Sequence, residues 1–174
     1  MARCCFSPGR CAKREKRRGK AKSNAKSVFR ECGFSRQLHY PHMPDHFFFY
    51  GTLIPHFAPP HLREILAQFH LVGEGWLLGI LYDLGNYPGA VFDPTSRTKV
   101  LGRVFQASTN ERLLAELDHY EGFNPASSGT SQYLRKRFPI TLQDGRQIEC
   151  WVYEYNGSTA GRPLIAAGRY IPCG

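Results

Sequence analysis

The run His46-Phe47-Phe48-Phe49-Tyr50, closed by Gly51, constrains this chain more than any other stretch. Five consecutive ring-bearing residues leave no polar face, so a strand made from them has to be covered on both sides. That predicts a central strand in a sheet packed above and below. With 174 residues, 42% of them hydrophobic, the chain has enough apolar material for one enzyme-sized core to supply that cover.

The formal charge of +9 points to a polyanionic partner only if the basic residues belong to the folded part. They do not: residues 1–42 hold 12 Lys/Arg against 2 Asp/Glu, and residues 43–174 hold 11 against 12. The folded part is therefore nearly neutral, and nucleic acid is not expected as its partner. Residues 1–43 read as a disordered basic tail, too poor in apolar surface to offset the entropy of ordering. Three readings of that tail stay open: a nucleic-acid or membrane-surface arm, an organellar transit segment, or a stretch without an evolved role. Met43 stands two residues before the strand-like run, as a start codon would, so the native protein is expected to begin there and residues 44–174 to form the domain. No segment has the roughly 18 apolar residues a membrane span needs, and no secretory signal opens the chain. No membrane partner and a cytoplasmic location are expected. Only Cys150 and Cys173 lie in the body, and without C-x-x-C or H-E-x-x-H spacing no metal site is read.

After the aromatic strand, Pro59-Pro60 opens a helix over His61 to Phe69, with Leu62, Ile65, Leu66 and Phe69 at steps of three and four. Residues 70–83 read as a strand bent at its glycines, Asn86-Tyr87-Pro88-Gly89 as a turn, and 90–92 and 99–106 as strands. A second helix runs from about Asn110 to Tyr120, with Thr109 or Asn110 as its cap and Gly122 as its stop. A polar loop follows, then a hairpin of Tyr133–Leu142 and Gln147–Tyr155 across Asp144-Gly145. The fold class is mixed α/β: a small, barrel-like, strongly bent mixed sheet of about six strands flanked by two helices.

Two places carry candidate chemistry. In Tyr50-Gly51-Thr52-Leu53 a buried strand ends in glycine and a hydroxyl residue, so successive N–H groups can form a nest for a carboxylate; the ordinary alternative is a tight turn and nothing more. No nucleotide-binding glycine loop is present. In Leu117-Asp118-His119-Tyr120-Glu121-Gly122 a carboxylate falls where the helix dipole is negative, which together with burial would favour its protonated form and suit it to proton transfer. A solvated acid at a helix end is the plain alternative. Asp118 reads as a capping or salt-bridging residue. Arg135 sits with Tyr133, Lys136 and Arg137 on a basic strand that either steers an anion, holds Glu121 or Asp118, or simply faces solvent. His56, His61, His70 and His119 are read as surface or supporting residues, and Cys150 as a small buried hydrophobe.

In chain order, Phe47-Phe48-x-Tyr50-Gly51-Thr52-Leu53, Gly79-x-Leu81-Tyr82-Asp83-Leu84-Gly85-x-Tyr87-Pro88-Gly89, Gly102-x-Val104-Phe105, Leu117-Asp118-x-Tyr120-Glu121-Gly122, Tyr133-x-Arg135 and Trp151-x-Tyr153 form a series. That series resembles the γ-glutamylcyclotransferase-like proteins, especially γ-glutamylamine cyclotransferases and their small bacterial and plant relatives. The resemblance implies a barrel-like fold and Glu121 as the catalytic acid/base. It also implies a substrate site at Tyr50, Gly51, Thr52, Leu53, Pro88, Gly89 and Tyr153. The expected partner is a small γ-glutamyl amine or amino acid, cleaved to 5-oxoproline and a free amine, with no cofactor and no metal. A catalytically idle relative that binds a small carboxylate is the alternative within the same fold.

Overall fold

The structure, a computed structural model, describes residues 44–172, so the readings made for residues 1–43 lie outside the described residues. Its elements in chain order are β1 (Asp45–Phe49), α1 (Arg63–Leu66), β2 (His70–Asp83), β3 (Pro88–Phe92), β4 (Lys99–Ala107), α2 (Glu111–Tyr120), β5 (Tyr133–Leu142) and β6 (Gln147–Tyr155). The strands lie in the order β3-β2-β4-β1-β6-β5, and β5 returns to pair with β2. Five strands thereby close into a barrel, and β3 is added as an extra strand along the C-terminal part of β2. All pairings are antiparallel except that of β1 with β6.

The aromatic strand is central, between β4 and β6, and both of its faces are buried. Phe47 and Phe49 face outward, meeting Phe69 at ring-centroid distances of 5.1 and 5.3 Å in a core shared with Leu62, Ile65 and Leu66 near α1 and with Leu113 and Leu117 of α2. Phe48 and Tyr50 face inward, onto Val100, Val104, Ile140, Cys150 and Val152. Period-two alternation thus splits one aromatic run between two cores, so each ring is buried without competing for the same space. β1 and β4 come so close at Gly102 that an added Cβ would meet the Phe49 carbonyl oxygen and lie 2.7 Å from Phe48 Cζ.

Three expectations need correction. The helix expected over 61–69 is a 3-10 turn, Pro60–Leu62, followed by the single turn of α1, because β2 already begins at His70 and Phe69 N closes back on the Leu66 carbonyl. Its four apolar residues are nonetheless the ones buried. The turn expected at 86–89 lies earlier: Gly85 takes φ 104°, Leu84 N donates to the Tyr87 carbonyl at 3.1 Å, and Pro88 and Gly89 already belong to β3. Proline suits the first residue of such an edge strand, since it has no N–H to donate to a ladder. The polar loop after α2 contains a 3-10 segment, Pro125–Thr130, capped by the Asn124 side chain. In the hairpin and the long β2 the structure agrees with the sequence reading, and the bend of β2 is a register shift between Leu71 and Gly73.

Gly102→Ala is expected to destabilise the fold by about 2–3 kcal/mol, because a fixed backbone carbonyl blocks the added methyl. Gly73→Ala, whose Cβ would meet only Leu142 Cδ2 at 3.8 Å, should change stability by less than about 1 kcal/mol. Urea unfolding of both variants checks this, and equal losses would contradict it.

Candidate active site

Because β1 and β6 run parallel, their C-terminal ends leave the barrel at one rim, and β5 begins there too, with Tyr133 opposite Tyr155. The segment after β1 turns sharply at this rim, with Ile54 N donating to the Gly51 carbonyl at 3.1 Å. Among the described residues the amides of Gly51, Thr52 and Leu53 donate to no protein acceptor, which leaves them available to an anionic ligand. A Cβ on Gly51 would lie 2.8 Å from Pro88 Cγ, so glycine lets this loop sit directly against the start of β3.

The second wall is the end of α2. Asn110 caps the helix start, its side chain accepting from Leu113 N at 2.8 Å. At the other end Gly122 takes φ 62°; Gly122 N donates to the His119 carbonyl and Phe123 N to the Asp118 carbonyl. This paired closure is a Schellman motif, and it fixes Glu121 as the terminal cap residue. Tyr120 OH donates to Thr52 Oγ1 at 2.9 Å, tying the helix end to the loop. Between the two walls lies a cavity of about 360 Å³ lined by Tyr50 to Leu53, Pro88, Glu121 and Tyr153, together with Phe48, Phe49, Asn86, Tyr87, Tyr120, Gln132 and Tyr133.

Phenols scaffold this cavity. Tyr50 OH donates to the Tyr153 carbonyl at 2.6 Å, Tyr133 OH to the Pro88 carbonyl at 2.7 Å, and Tyr153 OH to Asp118 Oδ1 at 2.7 Å. Burial holds all three above their ordinary pKa, so they remain neutral donors. Asp118 also pairs with Arg135, whose Nε lies 3.3 Å from Oδ1. Glu121 differs: among the described residues its carboxyl has no hydrogen bond and no ion pair, and desolvation pushes it up to about 8. The residue keeps some solvent contact through the cavity, while its carboxyl is packed round by protein.

The sequence model of the gamma-glutamyl cyclotransferase, AIG2-like family matches residues 47–172. The chain belongs to this family. Solved structures with the same fold include an AIG2-like protein from Mus musculus, with TM-score 0.56 and 22% identity over 75% of this chain and 90% of that one. YkqA from Bacillus subtilis is similar at TM-score 0.53 and 22% identity, covering 74% of this chain; the chain spans only 40% of that protein's length. A protein from Arabidopsis thaliana is similar at TM-score 0.50 and 20% identity, over 67% of this chain and 73% of that one. No curated protein sequence matches the chain.

Within this family fold, Glu121, Tyr50, Gly51, Thr52, Leu53, Pro88 and Tyr153 surround one cavity. Gly89 does not: it packs between Leu84 and Tyr155, where a Cβ would come within 2.8 Å of Leu84 Cδ1, so its part is to keep β3 close to β6. Sequence reasoning did not assign Tyr87, Tyr120, Gln132 and Tyr133 to the site. Tyr87, Tyr120 and Tyr133 stand in the quoted motifs, whereas nothing about Gln132 distinguishes it from a loop residue. The basic strand is not a bare solvated face, since Lys136 pairs with Glu154 and Arg137 with Asp45. The four singled-out histidines are exposed, and Cys150 is fully buried with its thiol pushed up to about 12 by desolvation. Among the described residues no three His, Cys, Asp or Glu side chains are gathered to hold a metal ion, and no helix is long and apolar enough to cross a membrane.

Glu121 has a stability consequence. Unfolded, its carboxyl ionises near 4.5; folded, near 8. Between these values the unfolded chain has lost a proton the folded one keeps, so this group makes the fold less stable as pH rises, by at most about 1.4 kcal/mol per pH unit. Glu121→Gln should therefore match the wild type near pH 4 and exceed it by about 2 kcal/mol or more at pH 8. Urea unfolding at both pH values checks this, and a pH-independent difference would contradict it.

Proposed function

We propose that this chain is a γ-glutamylcyclotransferase that cleaves a γ-glutamyl amide by intramolecular attack. The observation that carries the reading is the Glu121 carboxyl, unpaired among the described residues, sharing a cavity with the amides of Gly51, Thr52 and Leu53, which are likewise open among those residues. In this reading the amides bind the glutamyl α-carboxylate, which curls the chain so that its α-amino nitrogen lies against its own γ-carbonyl carbon. The nitrogen attacks that carbon, a five-membered lactam forms, and the amide C–N bond breaks. Glu121 takes the proton from the attacking nitrogen and gives it to the departing one. The products are 5-oxoproline and a free amine; no water, oxidant or cofactor enters the balance.

The lining supports this division of labour. Among the described residues it contains no Ser, Cys, Lys, Arg or His, and the aliphatic hydroxyl it does contain, Thr52, is held by Tyr120 rather than by a base. A nucleophile supplied by the substrate fits such a wall better than an enzyme-borne one. A bound α-ammonium would also return Glu121 to its ionised form, placing base and proton in one contact.

The charge of the described lining bears on the leaving group as well. An amino-acid leaving group would bring a second carboxylate to a cavity whose wall, among the described residues, offers it no Lys or Arg. An amine without a carboxylate meets Tyr87, Tyr120 and Tyr133 instead, which accept an alkyl chain or the cationic end of a diamine. We therefore assign the substrate as a γ-glutamyl amine.

Incubated with γ-glutamyl alkylamides, the wild type should release 5-oxoproline, and Glu121→Gln should lose at least about 100-fold in rate. γ-Glutamyl amino acids should be the poorer substrates. Retained turnover in the variant, or 5-oxoproline from neither substrate class, would refute the proposal.

A further inference from the structure

Behind Glu121 lies a pair of charges that the reaction above does not use. Asp118 stands three residues earlier on α2 and is 8% exposed. Its Oδ1 takes two partners, Tyr153 OH at 2.7 Å and Arg135 Nε at 3.3 Å. Arg135, on β5, is itself largely covered: its guanidinium lies over the Trp151 ring at 4.9 Å and the Phe123 ring at 5.8 Å. The cluster thus joins α2, β5 and β6 immediately behind the cavity, and Tyr153, which it fixes, carries the carbonyl that receives Tyr50 OH. A carboxylate and a guanidinium so placed are far more than a surface ion pair, because each would be stranded in a poorly solvated setting without the other.

We propose that Asp118 and Arg135 are positioning residues for Glu121: Arg135 cancels the charge of Asp118, Asp118 clamps Tyr153, and Glu121 is left as the carboxyl free to exchange a proton in the cavity. The argument rests on the acid/base role proposed for Glu121. Among the described residues, the other titratable groups that line the cavity with Glu121 are Tyr50 just after β1, Tyr87 from the turn before β3, Tyr120 from α2, Tyr133 from β5 and Tyr153 from β6. Of these, burial keeps Tyr50, Tyr120, Tyr133 and Tyr153 neutral. Asp118 lies one helical turn before Glu121 on α2 and Arg135 is its ion-pair partner, so in this proposal removing the two charges one at a time moves Glu121 in opposite directions. Without Arg135, the bare Asp118 charge opposes ionisation of Glu121. Without Asp118, the unpaired guanidinium favours it.

The test is a titration of Glu121 in the full chain, without substrate, by carboxyl NMR with the resonance assigned through its loss in Glu121→Gln. Arg135→Met should raise the Glu121 midpoint by about one unit, Asp118→Asn should lower it by about one unit, and the double variant should return to within about 0.3 unit of the wild type. In parallel, the pH at which kcat/KM reaches half its maximum should move up, down and back. Shifts of one sign in both single variants, or none beyond about 0.3 unit, would overturn the proposal. If Arg135→Met does not fold, Asp118→Asn and the double variant still decide it, since a purely structural pair gives no downward shift that the second substitution reverses. The midpoints are read without turnover, so their failure is distinct from a failure to make 5-oxoproline.

Discussion

Burial of β1 on both faces is the constraint on which the rest of this structure depends. Phe47 and Phe49 demand cover from α1 and α2 on the outside, while Phe48 and Tyr50 demand a filled barrel on the inside. A strand so enclosed has little freedom in register, because a slip by one residue would exchange its two faces against cores of different shape. The exit of β1 is thereby fixed at the barrel rim, with Gly51 against Pro88. The same outer core holds Leu113 and Leu117 of α2, so the helix that ends in Glu121 is anchored by the residues that anchor the loop it faces.

Electrostatics then separates two acids that lie one helical turn apart. Asp118 is enclosed but partnered by Tyr153 and Arg135; Glu121 is enclosed and, among the described residues, unpartnered. Burying a carboxyl without a partner costs stability above its unfolded pKa, and a fold selected for stability alone would carry a neutral residue there. Such a cost, concentrated at the wall of a cavity and absent from the neighbouring acid, supports the proton-transfer role proposed for Glu121.

Local features were legible in the sequence because they are enforced by local physics. The aromatic run, the helix cap at Thr109 or Asn110, the Gly122 stop and the Asp144-Gly145 hairpin are written within a few residues each, and all appear in the fold, the cap as Asn110. The helix expected over 61–69 was half legible: its apolar positions are the buried ones, but the early start of β2 leaves room for only one turn. Closure of the barrel was visible only as a tendency to bend, because the pairing of Gly75 with Leu142 joins residues far apart in the chain. The site divides in the same manner. Motif order led to the loop after β1 and to Glu121, whereas Gln132 enters the cavity through tertiary packing alone, and Gly89 lies outside the cavity lining because it is packed against Leu84 and Tyr155, which sequence alone does not distinguish from a glycine that admits a ligand.

The central claim is that the Glu121 carboxyl and the amides of Gly51 to Leu53 act on one ligand. A crystal structure with 5-oxoproline bound tests it most directly. The account predicts the product carboxylate on the amides of Gly51, Thr52 and Leu53, and the lactam nitrogen within hydrogen-bond reach of Glu121, at about 3 Å. A product bound elsewhere, or held in this cavity with Glu121 turned away from the ring nitrogen, would contradict it.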